Sequence, residues 1–366
     1  MSAHSEFQKI LYKAEVENSL SRGEICAVLE TRNPVEIDNL FNTADRMRQR
    51  WVGDEVHVRG LIEISNHCRR DCLYCGLRKS NLKLERYRMT DDEIIETVRT
   101  AASLGARTIV IQSGEDPRLT SSRVAGLVGQ IKDEVDVAIT LSLGEYSPGD
   151  FIAMKRAGAD RYLLKHETID RGLYNRLHPD MDYENRICCL EWLKEAGFQV
   201  GAGIMVGLPG QTIESIADDI LFMKFMELDM AGIGPFIPHP ETPLCGAEAG
   251  TLEMTLKVIA ITRIIIPCLL IPATTAIGTI EFGGRECALR CGANVIMPNA
   301  TPQKYRKLYQ IYPNRICADD SPENCLICVE GMIKSLGRNV ATDFGHSYQF
   351  KKSMATIRDG KKAGVC

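Results

Sequence analysis

The chain has 366 residues, 45% of them hydrophobic and 25% charged, the balance of an ordinary soluble globular protein that can bury a sizeable core without disulfides. A net charge of −4 with a pI near 6.0 argues against a dedicated nucleic-acid binder. The longest apolar run, Val258 to Ala273, carries Arg263, Pro267 and Pro272 and falls short of the roughly 20 residues of a membrane span, so no membrane is expected either.

Residues 5–50 have helical periodicity, with turns at Ser21-Arg22-Gly23 and Arg32-Asn33-Pro34, and are expected to form a helical lead-in at 1–50. No charged-then-apolar leader is visible at Met1 to Lys13. With fourteen cysteines in the chain, this points to reduced thiols in the cytoplasm, and so to metal ligation rather than a disulfide framework.

Beyond the lead-in, strand-like apolar segments alternate with helical stretches. They lie at Val58–Ile64, Thr108–Gln112, Val137–Leu143, Arg161–Leu164, Val200–Val206, Ala231–Ile237, Leu269–Thr275 and Asn294–Met297. Thr90-Asp-Asp-Glu93 has the capping-box pattern, and Ser147-Pro148 places a capping hydroxyl before a proline at the first helical position. Strands apolar on both faces suit a sheet covered on both sides, and repeated right-handed crossovers can close it. The expected fold is α/β, a complete (β/α)8 TIM-type barrel over 51–300. A C-terminal extension follows at 301–345, then a basic tail at 346–366 with Lys351, Lys352, Lys361 and Lys362, expected to be solvated.

Cys68, Cys72 and Cys75 follow the first strand in a Cys-x3-Cys-x2-Cys array. Closed structural sites take four protein ligands, so three thiolates suggest a centre whose fourth ligand comes from outside, with a distant cysteine as the alternative. In a barrel, chemistry gathers at the C-terminal strand ends. That rim collects Gln112 to Asp116, Ser142 and Glu145, Lys165 to Glu167, Met205 to Gly210, Pro235 to Glu241, Thr274 and Thr275, and Met297 to Asn299. Each has a structural explanation alone: Gly207-Leu-Pro-Gly210 is a turn, a buried threonine packs as valine would, and His166 could be a satisfied core histidine. Convergence on one rim is what makes them a candidate site.

CRRDCLYC, with an aromatic residue before its last cysteine, resembles the signature of the radical S-adenosylmethionine (SAM) superfamily, and SGED resembles its GGE-type motif. The signature alone would equally cover biotin synthase and the mutase that makes methylornithine. Longer runs, among them IQSGEDP, AGADRYLLKHET, GIMVGLPGQT, GIGPFIPHPETPL and RCGANVIMPN, resemble the [FeFe]-hydrogenase maturase family HydE, from about Trp51 to Cys328.

The resemblance implies a [4Fe–4S] cluster on Cys68, Cys72 and Cys75, with SAM chelating the fourth iron and cleaved to methionine and a 5′-deoxyadenosyl radical. It places Tyr74 beside the cluster and Gln112, Ser113, Gly114 and Glu115 at the methionine end of SAM, with Glu167, Arg186 and Met205 also near SAM. Arg59, Thr140, Arg161, Thr274, Thr275 and Tyr309 would surround a substrate deeper in the barrel, where two arginines favour an anion. The implied substrate is an iron bearing carbon monoxide, cyanide and cysteine, on the way to a diiron cofactor. Partner maturases and a reducing protein such as ferredoxin or flavodoxin are implied with it.

Cys317, Cys325 and Cys328 resemble an accessory site of some members, able to take a second iron–sulfur cluster or zinc. Two departures stand out. Lys165 replaces the arginine more usual before His-Glu-Thr, keeping the charge without the planar fork, and the tail after Gly345 matches nothing in the family. A radical mutase on a small amino acid, a non-catalytic iron–sulfur carrier and a zinc protein are the alternatives.

Overall fold

The computed structural model describes residues 6–352. Three helices lead in, α1 (Glu6–Glu17), α2 (Arg22–Glu30) and α3 (Pro34–Val52). Ser21 closes a reciprocal capping box on α2, and Asn33 caps α3 with Pro34 at its first turn, so both turns lie where the breakers stand.

Strands and helices then alternate: β1 (Glu55–Ser65), α4 (Asp91–Ser103), β2 (Thr108–Ser113), α5 (Ser121–Glu134), β3 (Ala138–Ser142), α6 (Pro148–Arg156) and β4 (Arg161–Leu163). Two helices, α7 (Arg171–Leu177) and α8 (Tyr183–Glu195), precede β5 (Gln199–Val206), which is followed by α9 (Ile213–Phe225) and β6 (Met230–Pro235). Next come α10 (Leu252–Ile265), α11 (Thr275–Ile280), α12 (Gly284–Arg290) and β7 (Val295–Ile296). The extension holds α13 (Gln303–Arg306), α14 (Pro322–Ser335) and β8 (Asn339–Val340).

The strands pair in parallel in the order β6-β5-β4-β3-β2-β1-β7, and β8 pairs with the start of β1. Their centres are buried throughout, as in Ile109-Val110-Ile111 and Ala231 to Pro235, because helices cover the outer face and a side-chain interior fills the inner one. The lead-in helices pack on α10, whose residues Thr255 to Ile265 are all buried.

The strand ladder does not draw a complete eight-stranded barrel. Leu269–Thr275, expected as the seventh strand, makes only isolated bridges, Leu270 to Met230 and Pro272 to Val295. Proline has no N–H to donate, so pairing cannot continue through Pro272, and Thr275 already begins α11. The expected eighth strand shrinks to the two residues of β7.

The end of the described chain closes the opposite mouth. Ala341 N donates to the Val56 carbonyl at 2.9 Å, Thr108 Oγ1 to the Phe344 carbonyl at 2.9 Å, and Ser347 N to Gln199 Oε1 at 2.8 Å. These partners stand at the N-terminal ends of β1, β2 and β5, so residues 341–347 form a floor. His346 and Ser347, expected at the start of a solvated tail, are part of it; Lys361, Lys362 and Cys366 lie outside the described residues.

At Gly203 (φ +155), a Cβ would lie 2.1 Å from the Gly232 carbonyl oxygen. Gly203→Ala is therefore expected to destabilise the fold by about 2–4 kcal/mol, read as a lowered Tm.

Candidate functional site

Between β1 and α4 the chain runs through 66–90 without a helix or paired strand, and this loop carries Cys68, Cys72 and Cys75. Side chains hold it in place of a ladder. Arg86 donates to the carbonyls of Asn66, Leu77, Arg78 and Asn81 at 2.5 to 3.2 Å, and Asp71 accepts both arms of Arg78 at 2.8 and 2.7 Å. A Cβ on Gly114 would lie 2.4 Å from the His67 carbonyl oxygen and 2.8 Å from Cβ of Cys68. The glycine of SGED thus lets the turn after β2 press against the first cysteine.

The three thiols share one neighbourhood. Burial raises the Cys68 pKa, while burial and repulsion from the neighbouring sulfurs push Cys72 well above the ordinary thiol range and Cys75 up to about 12. Such a trio resists ionising in water yet yields its protons to a metal centre, whose positive charge inverts the balance.

Cys72, Tyr74 and Cys75 border a cavity of about 370 Å³ inside the sheet, which descends to Arg59, Thr140 and Met230. Gln112, Ser113, Glu167, Arg186 and Met205 lie on the same wall, as do Thr274 and Thr275. Five expected residues do not: Cys68, on the same loop, is not part of the lining, and four others turn elsewhere. Gly114 packs on the cysteine loop, and Tyr309 stands behind Gln112, accepting from its Nε2 at 3.1 Å. Arg161 points into the floor, where it donates to the Phe344 carbonyl and lies 3.2 Å from His346 Nδ1. Glu115 faces away and accepts from Arg69 and Arg70 at 3.1 and 2.5 Å.

Five buried polar atoms on the cavity-lining residues make no hydrogen bond among the described residues: Arg59 Nε, Arg315 Nε, Thr140 Oγ1, Thr274 Oγ1 and Glu167 Oε2, the last of which meets only the Lys165 ammonium as an ion pair. An unsatisfied buried group costs about 1–3 kcal/mol, so a cavity that keeps several is shaped for a ligand that pairs them. Four of the five can donate, which favours an acceptor-rich or anionic guest.

Arg59 sharpens that preference. Its guanidinium meets Met230 Sδ at 3.1 Å and the Gly345 carbonyl at 3.3 Å, with no carboxylate in contact among the described residues. Burial, then the nearby Arg161, holds it well below the usual arginine range, and burial pushes Arg161 down to about 10. An anion in the cavity would relieve both.

On the cysteine side, Glu167 holds a left-handed backbone (φ +62), and Lys165 Nζ lies 3.2 Å from its Oε2. The Arg186 fork is partly engaged, with Nε donating to Glu145 at 2.7 Å and Nη1 to the Lys165 carbonyl at 2.5 Å. Glu145 also accepts from Arg70 at 2.8 Å, so a buried ion network ties the cysteine loop to the turn after β3. Tyr74 is anchored too. His178 Nδ1 lies 2.8 Å from the Tyr174 carbonyl, which can only accept, so its Nε2 accepts from the Tyr74 hydroxyl at 2.9 Å. Burial pushes His178 down to about 4, which keeps the ring neutral at ordinary pH.

Residues 62–223 match the family model of the Radical SAM superfamily. The [FeFe] hydrogenase maturase subunit HydE of Thermotoga maritima is 55% identical over 306 residues, covering 84% of this chain and 88% of that protein. The chain belongs to the radical SAM superfamily, in its HydE group. A 3-methylornithine synthase of Methanosarcina acetivorans is 30% identical over 279 residues, 76% of this chain and 79% of that one. A crystal structure of methylornithine synthase superposes with a TM-score of 0.79 at 25% identity, covering 91% of this chain and 97% of that one. HydG, a maturase of the [FeFe]-hydrogenase, gives 0.79 at 18% identity, covering 93% and 77%, which shows the shared fold alone.

The radical SAM family implies a [4Fe–4S] cluster and SAM, and the residues fit both. Cys72 and Cys75 line one end of the cavity, Cys68 stands close enough on the same loop to repel Cys72, no other cysteine among the described residues lines it, and Glu167 offers a carboxylate oxygen engaged only by Lys165. The second cysteine group is rearranged relative to expectation. Ligand atoms of Cys317, Asp320 and Cys325 lie within 4.8 Å of one another, whereas Cys328 is exposed on α14 outside that group. The hydrogen bond from Cys317 lowers the Cys325 pKa, aided by Arg306 Nη1 at 3.7 Å from its Sγ.

The sequence reading missed Glu63 and Arg315. Glu63, fully buried in β1, accepts from Arg315 and from Asn299 at 3.0 Å, and both members of the ion pair line the cavity. A lone acid inside the apolar run Leu61-Ile62-Glu63-Ile64 was the available signal. Arg315 follows no periodic pattern and had none.

Proposed function

We propose that this radical SAM enzyme takes part in assembling the diiron cofactor of [FeFe]-hydrogenase, cleaving SAM reductively and acting on an anionic iron complex of the Fe(CO)2(CN)-cysteine class. The observation that carries this is the donor-rich set of orphaned atoms, Arg59 Nε among them, in a cavity that is also lined by Cys72 and Cys75 of the cysteine array. Cys68, Cys72 and Cys75 would hold the [4Fe–4S] cluster, which when bound and reduced supplies the electron that breaks a C–S bond of SAM.

The protein's own part is positioning and exclusion of water. Gln112, Ser113, Glu167, Arg186 and Met205 would hold SAM, with Tyr74 covering the cluster. Arg59, Thr140, Thr274 and Thr275 would meet the substrate; Tyr309 would act through Gln112 and Arg161 through the floor. Gly114 and Glu115 serve by fixing the cysteine loop. In this reading Cys317, Asp320 and Cys325 form an accessory metal centre remote from the chemistry, and a partner maturase supplies the substrate. Electrons come from a ferredoxin- or flavodoxin-like protein in the cytoplasm; no helix among the described residues is long and apolar enough to cross a membrane.

Protein reconstituted anaerobically with iron and sulfide, then given dithionite and SAM, is expected to form 5′-deoxyadenosine. Glu167→Ala should weaken SAM binding by about tenfold or more. No 5′-deoxyadenosine from fully loaded protein would defeat the radical reading, and unchanged SAM affinity in Glu167→Ala would defeat the site assignment. The likeness to 3-methylornithine synthase favours a second reading, a mutase on a small amino acid. Feeding lysine and finding a rearranged product would select it.

A further inference from the structure

Lys165 and Glu167 line the cavity, and His166 between them points the other way, as alternation along an extended segment requires. Its ring is fully buried in the layer between the sheet and α9. Nδ1 accepts from Gly203 N at 3.4 Å, which leaves the proton on Nε2 in the neutral ring, and Nε2 lies 3.5 Å from Oδ1 of Asp219 on α9. That electrostatic contact, at the limit of hydrogen-bonding range, is the nitrogen's only polar one among the described residues. The ring also meets Phe222, one helical turn along, edge to face at 5.0 Å. Asp219 is equally buried, and its Oδ1 accepts from Ile169 N at 2.6 Å, just beyond the turn.

We propose that His166 and Asp219 are positioning residues that clamp the 165–168 turn to α9 and so hold the Glu167 carboxylate in the cavity. The need for a clamp is visible in the backbone. Glu167 is a non-glycine residue in the left-handed region, a conformation that persists only where its surroundings over-determine it. On the side of β5, Glu167 N donates to the Gly203 carbonyl at 3.0 Å; Thr168 N closes the turn on itself through the His166 carbonyl at 2.8 Å, and Arg186 Nη1 of α8 holds the Lys165 carbonyl at 2.5 Å. The side of α9 is fixed through His166 and Asp219, so one pair grips the turn before and after Glu167.

A bland alternative exists, since a buried histidine beside an aspartate can serve packing only. A packing role predicts that substitutions lower Tm in proportion to lost contacts and leave the affinity of folded protein for SAM unchanged. A clamp predicts that SAM affinity falls independently of Tm and recovers when a donor is restored.

The inference rests on the proposed contact of Glu167 with SAM, so Glu167→Ala is measured alongside. The protein carrying its cluster is titrated with SAM by calorimetry, and Tm is recorded for each variant. His166→Leu is expected to weaken SAM binding by about tenfold, the effect of one misplaced charged hydrogen bond, while His166→Gln, which can still donate to Asp219, stays within about threefold of the parent. Asp219→Asn keeps the acceptor for Ile169 N and is expected to fall between them. Should His166→Leu fail to fold, Asp219→Asn decides: parental affinity for SAM with a lowered Tm overturns the clamp. If Glu167→Ala also binds SAM as the parent does, the site reading fails first. If Glu167→Ala weakens binding and the His166 and Asp219 variants do not, only the clamp fails.

Discussion

Cys75→Ser protein, reconstituted with iron and sulfide, is expected to lose the visible absorbance of the cluster and to form 5′-deoxyadenosine at least about a hundredfold more slowly than the parent. Removing even an outer-shell partner of a metal ligand typically costs 10–100-fold, and a ligand is nearer. Cys75 sits on the cavity wall with Tyr74 and Cys72, where a serine hydroxyl would offer iron a far poorer ligand than the thiolate. Cys328→Ser supplies the contrast. Cys328 is exposed and stands apart from the group formed by Cys317, Asp320 and Cys325, so its loss should leave 5′-deoxyadenosine formation within about twofold of the parent, in line with a surface change. Iron content and 5′-deoxyadenosine yield, measured on both variants, separate a catalytic cluster from a protein that merely carries iron. Equal losses in the two variants would place the chemistry elsewhere.

The alternation of strands and helices was legible because buried parallel strands are apolar throughout and their helices carry caps in plain view, as at Thr90 and Ser147. The cysteine array was legible for a different reason: ligands on one short loop must be near in sequence. What failed were features that depend on contacts distant along the chain. Leu269–Thr275 has the composition of a strand, but Pro272 withholds a ladder donor and Thr275 turns into α11. His346 and Ser347 look like the start of a polar tail; Ser347 is buried and His346 half-buried because Gln199 and Asp229 await them at the ends of distant strands. Glu115 and Arg161 were set near the ligands by the family resemblance; in this chain Glu115 pairs with Arg69 and Arg70, and Arg161 donates into the floor. Strand position fixes the face that a side chain leaves from. A long side chain's final direction depends on partners that only the folded chain brings near.

Arg59→Met is expected to separate stability from function. The natural residue is a buried guanidinium held by a thioether and a main-chain carbonyl, with no carboxylate in contact and only Asp343, farther off, to offset it in part. Burying an uncompensated charge is costly, and replacing it by an apolar side chain of similar length is neutral or stabilising in comparable interiors. Tm should therefore stay level or rise by a few degrees. The floor should survive, because Thr108 and Arg161 still hold the Phe344 carbonyl and Gln199 still holds Ser347. SAM cleavage should continue as well, since Arg59 lies at the deep end of the cavity, away from Cys72 and Cys75. What should fall is use of the proposed anionic iron substrate. Its KM is expected to rise by about 10–100-fold, the loss of one or two hydrogen bonds to a charged group, with 5′-deoxyadenosine formed per product rising in step. Arg59→Lys should recover only part of the loss, because an ammonium restores the charge without the orphaned Nε. A lowered Tm with unchanged KM would instead make Arg59 a structural arginine, and the deep cavity would then need another ligand.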